Sequence, residues 1–199
     1  MGAMTTTGLL LAAGAGRRMG TPKALVRDAD GTSWLLRSVA TLHDGGCDRV
    51  TVVLGAAVDE ARTLLAEEDV EVVVAEDWDE GMGASLRAGL AHLAQGDDDL
   101  ALVTLVDLPD VTAEVVRRVL TAALGDGPAA LARAAYAGVP GHPVAIGREH
   151  WAGVGSTARG DRGARDHLRA TPHVLVECGD LATGRDLDTS GDLDDLHRE

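Results

Sequence analysis

One lysine occurs in the 199-residue chain, Lys23, and it stands in the run Leu11-Ala12-Ala13-Gly14-Ala15-Gly16-Arg17-Arg18-Met19-Gly20-Thr21-Pro22-Lys23-Ala24-Leu25. Every other cationic side chain is arginine, so Lys23 marks a position suited to a compact ammonium on a flexible stem, where a planar guanidinium would need more room. Gly14 and Gly16 open backbone conformations that let amides turn towards an anion, and Arg17, Arg18 and Lys23 add positive charge beside them. The combination suits a small polyanion such as a phosphate chain. Two other glycine templates fail. A dinucleotide fingerprint counted from Gly14 would put its third glycine where Met19 stands, and a Walker A loop would need glycine where this chain has Pro22.

Carboxylates supply a second kind of chemistry. Asp107 directly follows the apolar run 100–106 and precedes Leu108-Pro109. A carboxylate at the end of a buried strand is costly unless it is paired, solvated or bound to a cation, which makes Asp107 a candidate Mg²⁺ ligand. Asp110 or Thr112 can fill the alternative role of helix cap. Asp186 and Asp188 share one face of an extended segment, a pattern that on its own equally describes a solvated acidic loop. His142, in Gly141-His142-Pro143-Val144, enters an apolar run where a histidine packs more often than it catalyses, although the segment can line a pocket. Gly160-Asp161-Arg162-Gly163-Ala164-Arg165 reads as a helix start whose arginines either meet an anion or lie on a plain surface. The histidines show no zinc-type spacing.

These groups need a scaffold that brings them to one edge. Residues 7–12, 49–54, 70–75 and 100–106 are Val/Leu-rich runs of the kind that form strands buried on both faces. Residues 33–43, 59–67, 82–95 and 112–124 have helical periodicity between or after them. The alternation predicts an α/β fold with a mostly parallel sheet flanked by helices. The second half is less regular: strands are expected at 129–136, 142–146 and 173–177, a helix at 161–170 and a terminal helix at 190–198 capped by Ser190. Ligands of open parallel sheets bind beyond the carboxyl ends of the strands. The glycine-rich loop, residues 76–83 and Asp107 all fall there.

Composition bounds the function. The chain carries a formal charge of -14, and residues 13–26 hold +3 with no acid, which leaves -17 on the rest. Such a surface repels long polyanions, so nucleic acid is not expected as a partner. Phenylalanine is absent and hydrophobic residues make up 45%, so the core must be aliphatic. Cys47 and Cys178 have no disulfide or metal spacing. No apolar run approaches the roughly 18 residues of a membrane span and no signal-type start is present, so a cytoplasmic protein is expected. Residues 1–199 read as one domain, with residues 1–5 an expression-vector remnant or disordered.

The runs LAAGAGRRMGTPKAL, EGMGASLRAGL, VDLPDV, GHPVAI, GDRGAR and DLDTSGDL together resemble the MobA-like nucleotidyltransferases, and among them the molybdenum cofactor cytidylyltransferases. The resemblance covers residues 6–196. It implies a Rossmann-like nucleotide-diphospho-sugar transferase fold and Mg²⁺-dependent transfer of a nucleoside monophosphate from an NTP, CTP favoured, to a phosphorylated acceptor, the molybdopterin cofactor, with release of pyrophosphate. It makes Gly14, Gly16, Arg17, Arg18 and Lys23 the triphosphate loop, with Arg18 and Lys23 catalytic. Ala12 and Ala13 would lie along the base with Ser85 nearby, on the loop before the third helix. Asp107 and Asp188 would be the metal residues, and His142 and Arg165 the acceptor side. Small molecules are then the expected partners, with a molybdoenzyme or maturation protein beyond them. Two other readings share this fold: a nicotinamide- or flavin-dependent reductase of a pigment-like aromatic compound, and a non-catalytic nucleotide- or pterin-binding protein.

Overall fold

Strand propensity and burial coincide in the first half of the chain. In the computed structural model, which describes residues 4–187, β1 (Thr6–Leu11), β2 (Arg49–Leu54), β3 (Glu71–Val74) and β4 (Leu100–Leu105) fall on the four apolar runs. The helices between and after them are α1 (Trp34–Asp44), α2 (Val58–Leu64), α3 (Met82–Leu93) and α4 (Ala113–Ala123). Ser33 caps α1 by accepting from the Leu36 amide at 3.4 Å. Thr112 occupies the cap position of α4 without a side-chain bond.

The second half contributes β5 (Leu131–Tyr136), β6 (Val139–Gly147), α5 (Arg148–Thr157), α6 (Arg165–Ala170) and β7 (Val174–Glu177). Helix α5 is not among the expected elements. Its Gly153, Gly155, Ser156 and Thr157 are poor helix formers, yet Trp151, Val154 and Ala158 recur on one face and are buried. The helix expected over 161–170 is shorter: Gly163 at φ 49° breaks it after a 3-10 turn at Gly160–Arg162. The terminal helix expected at 190–198 lies outside the described residues, as do residues 1–3.

All seven strands form one sheet in the order β3-β2-β1-β4-β6-β5-β7. Only β6 runs against the others, pairing antiparallel with β4 and β5. The two-residue period of the strands divides the core. Leu10, Val52 and Leu102 face α1 and α4, whereas Leu9, Leu11, Val53 and Val103 face α3 and α5. Strand β1 sits between β2 and β4, both parallel to it, so successive connections leave it in opposite directions and a crevice opens at its carboxyl end. Among the described residues no helix is long and apolar enough to cross a membrane.

Close approach of α3 to the sheet depends on Gly89. A Cβ there would lie 2.7 Å from a Leu9 methyl and 3.0 Å from Val53. Overpacking of a filled core costs about 1–3 kcal/mol, so Gly89→Val should lower the unfolding free energy in urea by about that amount. An unchanged urea midpoint would mean that α3 lifts from the sheet without penalty.

Candidate active site

The loop after β1 folds back on itself. The amides of Met19 and Gly20 both donate to the Gly16 carbonyl at 2.9 Å, and the Lys23 amide donates to Gly14 at 3.1 Å. Gly16 has φ 57°, and a Cβ on it would fall 1.8 Å from the Thr21 carbonyl oxygen, so no other residue closes this turn. Arg17 and Arg18 are exposed on the loop, and a 3-10 turn at Lys23–Leu25 returns the chain to the core through buried Ala24.

The Lys23 ammonium forms an ion pair with the carboxylate of Asp107, which stands just beyond β4. Asp107 is 5% exposed. Burial pushes its carboxyl above the usual carboxylate range, Lys23 pulls it back, and neighbouring Asp186 adds to the rise. The Leu187 amide donates to the Asp107 carbonyl at 3.1 Å, which ties segment 186–187 to the end of β4. Asp188, the second expected metal residue, lies outside the described residues.

Around this pair lies a cleft of about 280 Å³. Ala13, Gly14, Arg17 and Lys23 form one wall, with Asp107 and Leu105 at the base. Opposite them are Met82 and Ser85 in the first turn of α3, joined by Trp78 and by Asp161. Ser85 is thus inside the helix, not on the loop before it. The start of α3 is held by the segment before α6: Arg87 donates to the Ala158 carbonyl at 2.8 Å and pairs with Glu80 at 2.9 Å. Ala12 does not line the cleft. It is 1% exposed in the core, its amide donating to the Val53 carbonyl. Arg18 and Gly16 are likewise outside the lining, although they belong to the same loop.

His142 on β6 and Arg165 at the start of α6 are outside the cleft lining, and each lies near a residue the sequence did not single out, Arg133 on β5. Arg133 donates through Nε to the Gly141 carbonyl at 2.9 Å, next to His142. Burial and the nearby Arg165 guanidinium hold Arg133 below the usual arginine range. Trp78 and Asp161 were also missed as site residues. Trp78 lies in the segment 76–83 already expected at the edge, and in a chain with three tryptophans it is the one left half-buried, over Gly55 and Ala13. That exposure is invisible in the sequence.

Among the described residues no three His, Cys, Asp or Glu side chains gather to hold a metal alone. Magnesium is commonly held by one or two carboxylates plus substrate phosphates and water, so a buried hard oxygen donor such as Asp107, with Asp186 beside it, fits that ion.

Burial, reinforced by Arg133, pushes the His142 imidazole down to about 4 from the ordinary 6.5. The unfolded chain takes up this proton near pH 6.5 and the folded protein only near pH 4, so His142 contributes stability that is complete above pH 6.5 and is lost as pH falls towards 4. His167 is also held low, by burial and by His150, and acts in the same direction. The check is therefore a difference: urea midpoints between about pH 7 and about pH 4.5 should fall more steeply in the wild type than in His142→Asn. Parallel curves would remove His142 as the source.

The fold and cleft can be set beside known proteins. A family model described as the MobA-like NTP transferase domain matches residues 8–174. Nicotine blue oxidoreductase of Paenarthrobacter nicotinovorans is 38% identical over 193 residues, covering 92% of each chain. The crystal structure of Rv0371c from Mycobacterium tuberculosis H37Rv matches with a TM-score of 0.80 and 29% identity over the full length of both chains. The same protein in complex with manganese gives 0.77 and 26%, covering 98% of this chain and 100% of that one. With the glycine-rich loop, strands β2 to β6 and Asp107 inside the matched span, this chain belongs to the MobA-like NTP transferase family.

Proposed function

We propose that the protein is a nucleotidyltransferase that uses CTP and a phosphorylated acceptor of the molybdopterin class, releasing pyrophosphate, in the cytoplasm. The observation that carries this reading is the Lys23–Asp107 pair, set at the mouth of the crevice between β1 and β4 with a cationic loop beside it. Membership of the family supports transfer from an NTP. The preference for CTP and the molybdopterin acceptor rest on the motif resemblance alone.

An acceptor phosphate oxygen attacks the α-phosphorus of the nucleotide, the bond to the bridging oxygen breaks, and pyrophosphate leaves. The acceptor is already ionised at neutral pH, so no general base is required, in keeping with a site whose histidine is held neutral off to one side. Lys23 and Arg17 face the cleft and would neutralise the triphosphate, with Arg18 reinforcing the loop's charge. Asp107, with Asp188 further along, would hold Mg²⁺, which when bound neutralises phosphate charge and the departing pyrophosphate. The relative determined in complex with manganese supports divalent-metal use. Trp78 offers a flat apolar wall beside Ala13 on which a base can stack.

A second reading deserves a test, because a relative 38% identical bears an oxidoreductase name. Trp78 would receive a planar aromatic substrate equally well. Against it, the loop lacks the third glycine of a dinucleotide fingerprint, having Met19 there.

Three measurements decide. Mg·CTP or another Mg·NTP should raise the melting temperature, as a ligand selective for the folded state must, and NADPH and flavins should not. Saturable stabilisation by NADPH or FMN and none by any Mg·NTP would put the oxidoreductase reading in its place. Lys23→Ala should cut turnover by about 100-fold or more with the fold intact; near-normal turnover would take Lys23 out of the mechanism. Because burial outweighs the Lys23 attraction at Asp107, Asp107→Asn should leave thermal stability at pH 7 unchanged or slightly raised while abolishing metal-dependent activity. A large loss of stability would make Asp107 a structural residue.

A further inference from the structure

Away from the cleft, helices α5 and α6 bring two histidines together. His150 in the first turn of α5 and His167 within α6 are 17 positions apart in the chain, yet Nδ1 of the first lies 3.2 Å from Nε2 of the second. The rings meet edge to face, inclined at 69° with centroids 5.3 Å apart. Gly153 is what seats the second ring. It stands three residues after His150 on the same side of α5, and a Cβ on it would fall 2.7 Å from Cε1 of His167. Glycine weakens a helix interior, so α5 gives up propensity at the one place where this imidazole docks.

Hydrogen-bond chemistry decides which lone pairs face each other. The Ala129 carbonyl can only accept, and it lies 3.0 Å from Nε2 of His150. In the neutral ring Nε2 therefore carries the hydrogen, and Nδ1 is left as a lone pair turned to His167. An outer N–H held by a backbone carbonyl is the support that metal-bound histidines have. Burial and the neighbouring His150 hold the His167 imidazole below its ordinary range, so near pH 7 it is uncharged, the state in which an imidazole takes a metal. Charged neighbours are engaged elsewhere: Asp166 pairs with Arg162 at 3.0 Å, and Arg148 donates to the Asp98 and Ala94 carbonyls at 2.6 and 2.8 Å. Two imidazole nitrogens bound to one tetrahedral ion at about 2.0–2.1 Å stand about 3.3 Å apart. The pair already has that spacing, and both residues are only partly buried, which leaves solvent a way in.

We propose that His150 and His167 form a binding site for a zinc-type divalent ion, separate from the cleft at Lys23 and Asp107, that staples α5 to α6. The two ring nitrogens fill two positions of the ion and water fills the others. The lone pair on Nδ1 of His150 binds directly; on His167 the hydrogen moves from Nε2 to Nδ1, so that Nε2 binds and the ring keeps its proton. Imidazole donors suit zinc, copper or nickel, whereas Mg²⁺ takes oxygen, which keeps this site distinct from the carboxylate of Asp107. Helix α6 follows the turn at Gly160–Arg162, whose Asp161 lines the cleft, so the staple steadies that wall.

Zinc chloride, titrated calorimetrically into the whole protein in excess Mg²⁺, is the test. Saturable binding is expected, and His150→Ala and His167→Ala should each weaken it by at least about ten-fold, the loss that follows removal of even an outer partner of a metal ligand. Gly153→Ala keeps both ligands and favours the helix, and it should weaken binding as well, because its methyl displaces the His167 ring. Should a histidine variant fail to fold, Gly153→Ala decides alone. Binding should fade between about pH 7 and about pH 5 as protons compete for the rings. In hydrogen exchange, zinc should protect the amides of residues 160–170 in the wild type and not in His167→Ala. No saturable zinc binding by the wild type, or binding left intact by either folded histidine variant, overturns the site.

Discussion

One ion pair organises the site: the ammonium of Lys23 against the buried carboxylate of Asp107. Neither charge is comfortable alone. Asp107 sits at the end of a strand buried on both faces, and Lys23 reaches it only because the loop from Gly14 to Lys23 is closed by backbone bonds and a left-handed glycine. The pair joins the carboxyl ends of β1 and β4, the two strands between which the crevice opens. Each partner is held by the other in a way that a polyanion and its counter-cation would replace, so the resting site is already shaped to the charges it is to receive.

The wider charge distribution works to the same end. A chain of net -14 sets three cations and no acid in residues 13–26. Long anionic polymers meet an acidic surface, whereas a small phosphate compound needs only the cleft.

Elements with strong periodicity were legible in the sequence. The first four strands and four helices lie within a few residues of expectation, because buried parallel strands need unbroken aliphatic runs and amphipathic helices show their stripe. Helix α5 was hidden by its glycines: Trp151 and Val154 carry the pattern, but weak propensity masks it until packing against the sheet compensates. In the site, residues defined by charge and spacing stood out, notably Lys23 and Asp107. Those defined by register did not. Arg133 looks like any polar residue in a strand until β6 reverses beside it, and Trp78 looks like core until Gly55 is seen to leave it room at the surface. Ala12 erred the other way, since a small residue beside a glycine loop can face the core as easily as the ligand.

The reversed strand β6 has an effect on how such a protein can change over time. Because it runs against its neighbours, β5 and β6 are joined by a tight hairpin through Ala137 and Gly138, both at positive φ, whereas the parallel strands need helical crossovers packed into the core. A hairpin tip can lengthen, shorten or change residue without disturbing buried layers, while the loop after β1 tolerates almost nothing. The sheet thus joins a fixed edge, where the loop after β1 is locked by its own backbone bonds, to an edge whose hairpin tip can vary while the layers beneath it stay in place.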